Sequence, residues 1–181
     1  MARHPSQLLD EYLVVSAKGG DSNAFAMLVR RWQKKLIAHA WRLTDDREAA
    51  QDAVQTGWSD IVRGLPRLQD EQAFPAWAYR IVSRACAKQI DRKVQRRKII
   101  EALASEASPE PRSAETGVDG QRLRQAVRAL PPEQRAAVAL FHFEELSVAE
   151  VAVALDVPMG TVKTRLMHAR RKLRAAMEGE E

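Results

Sequence analysis

The chain has 181 residues, with 29 Lys+Arg against 24 Asp+Glu, a formal net charge of +5 and 45% hydrophobic residues. That composition excludes a wholly disordered chain, and 8 Gly with 8 Pro exclude a collagen-like or linker-dominated one. The longest stretches without a charged residue, such as 22–29 and 136–143, span eight residues. A membrane helix needs ~20 apolar residues, so no membrane insertion is expected.

The first residues, Met-Ala-Arg-His-Pro-Ser-Gln, lead into no long apolar stretch, so no secretory signal is expected. The one cysteine, Cys86, can form neither an intrachain disulfide nor a Cys-based zinc site. A reducing cytoplasm fits such a chain. Mild basicity points to an acidic partner, and nucleic acid is the usual one.

Along the chain the charge separates into three parts. Residues 1–98 carry 18 basic and 11 acidic side chains, net +7. Residues 99–120 carry Arg112 against five acids, net −4, together with Ser105, Ser108, Pro109, Pro111, Ser113, Gly117 and Gly120. Residues 121–181 carry 10 basic and 8 acidic side chains, net +2. The middle segment reads as a flexible acidic linker between two domains, 1–98 and 121–181.

In the first domain, Gly19-Gly20 and then Asp21 or Ser22 mark a break and a helix cap. Phe25, Leu28, Val29, Trp32, Leu36 and Ala40 then recur at helical spacing over 22–43. Asp45, with Glu48 three residues on, resembles a capping box for the next helix. That helix places Ala50, Val54, Gly57, Trp58, Ile61, Val62 and Leu65 on one face, and Pro66 ends it. A third helix is predicted from about Phe74 to about Arg97, with Ala78, Ile81, Val82 and Ala85 turned inward. No segment alternates with period two for long enough to form a strand. The fold is expected to be all-α, as two helical domains.

The third of these helices carries a basic stripe. Arg80, Arg84, Lys88, Arg92 and Arg96 recur every four residues, a row that drifts ~40° per step around a helix of 3.6 residues per turn. Phe74, Trp77 and Tyr79 stand at its start. Cations along a groove attract phosphates, and aromatic rings beside them stack on unpaired bases. The alternative is a solvated basic face with Phe74 and Trp77 in the core.

Residues 146–173 hold the most informative pattern. Ser147-Val-Ala-Glu150 is a capping box for a short helix containing Val148, Val151, Ala152 and Leu155. Asp156-Val-Pro158 makes a turn, with Pro158 suited to the first position of the next helix. That helix buries Val162, Leu166, Ala169 and Leu173. Its other side shows Lys163, Thr164, Met167, His168 and Arg171, with Thr161 and Arg165 beside them. A short helix, a tight turn and a longer helix with a cationic outer face make a DNA-reading helix-turn-helix. The alternative is an ordinary helical hairpin.

An enzyme has little support. His4, His39, His142 and His168 show no metal-ligand spacing with one another or with Cys86, and no phosphate-cradling Gly loop or Gly-x-Ser-x-Gly motif is present. No catalytic residue, metal or cofactor is expected.

Ala126-Val-Arg-Ala-Leu-Pro-Pro-Glu-Gln-Arg135, Leu146–Leu155 and Val157–Arg170 together resemble region 4 of a bacterial sigma-70-type factor, most of all the extracytoplasmic-function (ECF) group. Asp52-Ala-Val-Gln55 resembles the core-polymerase-binding stretch of region 2, and Phe74–Ile81 resembles the start of its −10 element helix. The family pattern has leucine at Ala53, an acid at Thr56 and often Asn at Arg84.

The resemblance implies a transcription initiation factor that binds core RNA polymerase and directs it to promoter DNA. It implies polymerase contacts at Asp52, Gln55 and Thr56. It implies −10 contacts at Phe74, Trp77, Arg80, Arg84, Lys88 and Arg92, and −35 contacts at Thr161, Lys163, Thr164, Arg165, His168 and Arg171. An anti-sigma factor is the implied regulator. The acidic linker is expected to imitate RNA on the path that RNA takes through polymerase. The competing readings are a polymerase-independent helix-turn-helix regulator and a sigma-like decoy for an anti-sigma protein.

Overall fold

A computed structural model describes residues 5–103 and 118–178. The described residues are helical, with no strand among them, in agreement with the all-α expectation. Most of the acidic segment 99–120 lies outside the described residues, and with it the linker reading.

The first bundle holds α1 (Pro5–Lys18), α2 (Ser22–Thr44), α3 (Arg47–Gly64) and α4 (Phe74–Leu103). Asp21 caps α2 by accepting from the backbone N–H groups of Asn23 and Ala24. Leu28, Trp32, Leu36 and Ala40 form its buried stripe, as their spacing predicts. At the next junction the structure corrects the sequence reading by one residue. Asp45 adopts φ 52° and ends α2, while Asp46 caps α3 by accepting from Ala49 N–H. That hydrogen bond, then one from Lys93, holds the Asp46 carboxyl below its ordinary pKa.

On α3, Val62 is exposed rather than buried. Gly57 lies where α3 and α4 approach closely. A Cβ there would stand 2.9 Å from Val82 Cγ2, so a larger residue forces the buried Val82 side chain or the helices themselves to shift. Ala53 is fully buried, so its departure from the family's leucine is a matter of packing inside the bundle. Helix α4 runs six residues beyond the predicted end at Arg97 and into the segment assigned to the linker. Helix α1, which the sequence reading did not pick out, packs Leu13 and Val14 into the core and ties Asp10 to Arg31 at 2.7 Å.

The second bundle holds α5 (Val118–Arg128), α6 (Pro132–Val138), a π-helical turn (Ala139–Phe143), α7 (Val148–Leu155) and α8 (Met159–Glu178). Both halves of the Ser147–Glu150 capping box form, at 3.2 and 2.8 Å. Asp156 takes φ 57° and ends α7. Pro158 precedes α8 by one residue rather than opening it, and its carbonyl accepts from Thr161 and Val162.

The two bundles share one apolar core that runs from Leu13 and Leu28 to Val162 and Ala169. Helix α7 lies against α4, and α6 and the π-helical turn meet α2.

Candidate nucleic-acid interface

Helix α8 presents its predicted inner face to the core. Val162, Leu166 and Ala169 are buried and Leu173 is half-buried. This leaves Lys163, Thr164, Met167 and Arg171 exposed, with Thr161, Arg165 and His168 half-buried beside them. Thr164 donates its hydroxyl to the Gly160 carbonyl at 3.0 Å, which fixes its rotamer.

Two cations the sequence reading did not single out join this face. Arg170 lies over the Phe141 ring at 5.8 Å. Arg170 and Arg174 share an open cleft with Lys163 and Arg171, above Phe141. The signal was present in the spacing: 163, 167, 170, 171 and 174 fall on one helical stripe. Four cations along a ridge that projects from a helix-turn-helix suit the phosphates flanking a major groove.

The basic stripe on α4 is divided. Lys88 and Arg92 are exposed. Arg80 and Arg84 instead each meet the Asp156 carboxylate at 2.8 Å. These are partly solvated pairs, so each stabilises by only ~0–1 kcal/mol.

Phe74 and Trp77 stand apart from one another in environment. Phe74 is fully buried, edge-on to Trp32 at 5.4 Å between ring centres, and so takes the core alternative. Trp77 is half-buried and leans on Gly64, where a Cβ would stand 2.8 Å from its ring. Asp52, Gln55 and Thr56 all lie exposed, at spacings of three and four that share one side of α3.

A buried polar cluster holds the two bundles together. Glu144 accepts from the Arg42 guanidinium and from the Tyr79 hydroxyl, each at 2.5 Å. Burial and then the Glu144 carboxylate push the Tyr79 hydroxyl far above its ordinary pKa. Beside this cluster, the solvated pair of Arg128 and Asp45 meets at 2.8 Å, and the partly buried Arg135 donates to the Leu43 carbonyl at 3.2 Å. His39, completely buried under Tyr79, shares a 2.8 Å hydrogen bond with Ser83 through Nε2. Cys86 is buried too, and burial pushes its thiol up to about 12, which leaves it inert. No cluster of potential metal ligands is found among the described residues. No described helix is long and apolar enough to cross a membrane.

Two family models match the chain. "Sigma-70 region 2" covers residues 28–98 and "Sigma-70, region 4" covers residues 120–173. The chain is 30% identical to the ECF RNA polymerase sigma-E factor of Escherichia coli K12, over 91% of this chain and 92% of that protein. It is 27% identical to the RNA polymerase sigma-H factor of Pseudomonas aeruginosa, over 96% of each. Its fold resembles that of CnrH, solved with the cytosolic domain of CnrY, at TM-score 0.72 and 21% identity over 96% of this chain and 99% of that one. It also resembles the sigma factor RpoE of Bartonella quintana, solved with the anti-sigma factor NepR. There the TM-score is 0.70 and the identity 20%, over 87% of this chain and 98% of that one.

Proposed function

The chain belongs to the ECF group of sigma-70-type factors, and from that premise we propose how its surfaces divide the work of directing RNA polymerase to a promoter. It is a transcription initiation factor, and the polymerase performs the chemistry. The chain itself binds and positions, and takes no catalytic step. Its place of action is the cytoplasm, where the polymerase and the promoter are.

Core polymerase docks on the exposed face of α3 around Asp52, Gln55 and Thr56. Helix α8 enters the major groove of the −35 element. Thr161, Lys163, Thr164 and Arg165 lie nearest its N-terminal end, which in a helix-turn-helix meets base edges. His168, Arg170, Arg171 and Arg174 follow toward the phosphates. The α4 stripe of Arg80, Arg84, Lys88 and Arg92 takes the opened −10 strand. Trp77 stands close enough to the surface to support a base, and Phe74 serves by anchoring the start of the stripe. The two-domain layout lets one chain reach both elements.

The observation that carries this reading is the order of the two matched regions, with the cationic face of α8 exposed at the end of the second. A polymerase-independent regulator needs only the helix-turn-helix and leaves the whole of residues 28–98 without a role, so it is not favoured. An anti-sigma factor is the expected regulator, in keeping with the RpoE neighbour, which was solved with one.

Reconstitution with core polymerase tests the reading. Start-site-specific transcription from a subset of genomic fragments is the expected result. Failure to bind core polymerase, or uniform transcription from all fragments, overturns it. Single substitutions then divide the −35 surface. Arg171→Ala should weaken duplex binding and reduce the slope of log K against log salt by about 1, the signature of one lost phosphate contact. Thr164→Ala should relax sequence preference more than affinity, read as the ratio of binding to a specific and a scrambled duplex. An equal loss on both duplexes removes Thr164 from the base-reading set.

A further inference from the structure

The two surfaces assigned to DNA do not lie free side by side in this molecule, because part of one, at Arg80 and Arg84, is held by the other domain. Helix α7 packs along α4, and the turn that follows α7 brings Asp156 to the stripe. One carboxylate oxygen meets Arg80 Nη2 and the other meets Arg84 Nη2, both at 2.8 Å. Two oxygens of one anion bridging two guanidinium groups is how a phosphodiester would sit at this place. Arg165 of α8 borders the same cleft as Ser83 and Arg84, so the recognition helix also faces the stripe.

We propose that Asp156 is an intramolecular stand-in for a −10-strand phosphate, so that the free factor occupies part of its own strand-binding surface until the domains separate. The proposal rests on the promoter reading above for the identity of the displaced ligand. The geometry of that reading also requires a separation. The centres of elements named −35 and −10 lie about 25 base pairs apart, roughly 85 Å at 3.4 Å per pair. In this structure the helices assigned to them touch through α7, so the closed arrangement engages one element at most.

The backbone at Asp156 favours a clean test. At φ 57° it sits in the left-handed region, where Asn and Gly are both at ease. Asp156→Gly and Asp156→Asn therefore remove the carboxylate without straining the turn. The measurement is fluorescence anisotropy of a labelled 12-nucleotide single strand at low salt, with the full chain and no polymerase. Both variants are expected to bind about two- to fivefold more tightly than the parent, the range that one or two solvated ion pairs can supply.

Loss of a negative charge anywhere nearby would also help binding. The same substitutions are therefore made in a background carrying Arg80→Gln and Arg84→Gln. There the gain is expected to vanish. An unchanged affinity in the first background, or an equal gain in both, overturns the proposal. Transcription by the parent chain with core polymerase is scored separately. If that fails while the anisotropy gain appears and depends on Arg80 and Arg84, the latch stands and the promoter reading falls.

Discussion

Phe74→Ala is expected to destabilise the first bundle by about 3–5 kcal/mol, the cost of a cavity where a fully buried aromatic ring stood. The ring touches Trp32 edge-on and is flanked by Trp77 at 6.2 Å, so its loss leaves partners that cannot easily collapse inward. A urea titration followed by far-UV circular dichroism reads the loss as a lower midpoint with little change in slope. A second variant separates two roles for this position. Phe74→Leu keeps an apolar side chain in the site, so it should recover most of the stability and, with it, single-strand binding. If Phe74→Leu is stable but binds single-stranded DNA as poorly as a variant lacking the α4 cations, the ring itself contacts a base and the anchoring role is wrong.

Acid should weaken the protein well before its carboxylates titrate. His39 is completely buried, and burial followed by the Arg42 charge pulls its pKa from 6.5 down to about 3. Protonation would also place an N–H at Nδ1, which is buried without a partner among the described residues. Between pH 6.5 and about 3 the unfolded chain binds a proton at this position that the folded chain does not. Stability is therefore fully present above pH 6.5 and falls by roughly 1 kcal/mol per pH unit below it. The carboxylates held low by partners, Asp46 and Glu71, add their losses only below the ordinary carboxylate range. The window from pH 6.5 to 4.5 belongs first to His39, with a lesser share for the exposed His142, whose pKa burial and then the Arg170 charge also lower. His39→Gln removes the larger titration and should flatten most of the stability profile across that window, at the expense of some stability at pH 7.5. An unaltered slope in this variant would assign the acid sensitivity to another group.

The helices that reveal themselves in the sequence are those whose local signals agree. Leu28, Trp32, Leu36 and Ala40 repeat over four turns, and the Ser147–Glu150 box closes within four residues, so nothing distant is needed to read either. Helix α1 hides because Leu8, Leu9, Tyr12, Leu13, Val14 and Val15 are apolar on nearly every side, and only Leu13 and Val14 turn inward. Asp45 and Asp46 are chemically identical neighbours, and only the backbone shows which ends one helix and which starts the next. Phe74 looks alike as a base-stacking ring or a core ring until Trp32, forty-two positions earlier, closes over it. The ties between the bundles are more remote still. Glu144 meets Tyr79 across 65 positions and Asp156 meets Arg84 across 72, and no periodicity reports a pair of that kind. The cations of α8 were legible as a face, but the extent of that face was not, because Arg170 and Arg174 flank a cleft whose other wall comes from the π-helical turn.

That turn has a consequence for how the chain tolerates change. Glu144 N–H reaches back five residues to the Ala139 carbonyl, one more than an α-helix would use. Each residue in a helix advances the chain by about 100°, so the extra one acts as a phase shift between α6 and everything after it. Glu144 meets Arg42 and Tyr79 only at this phase. Deleting a single residue between 139 and 143 would let the helix run on regularly and swing the carboxylate about a quarter-turn off its partners. The length of this stretch is thus fixed by angle rather than by distance, and indels here should be far less tolerated than substitutions at its exposed positions, His142 and Phe143.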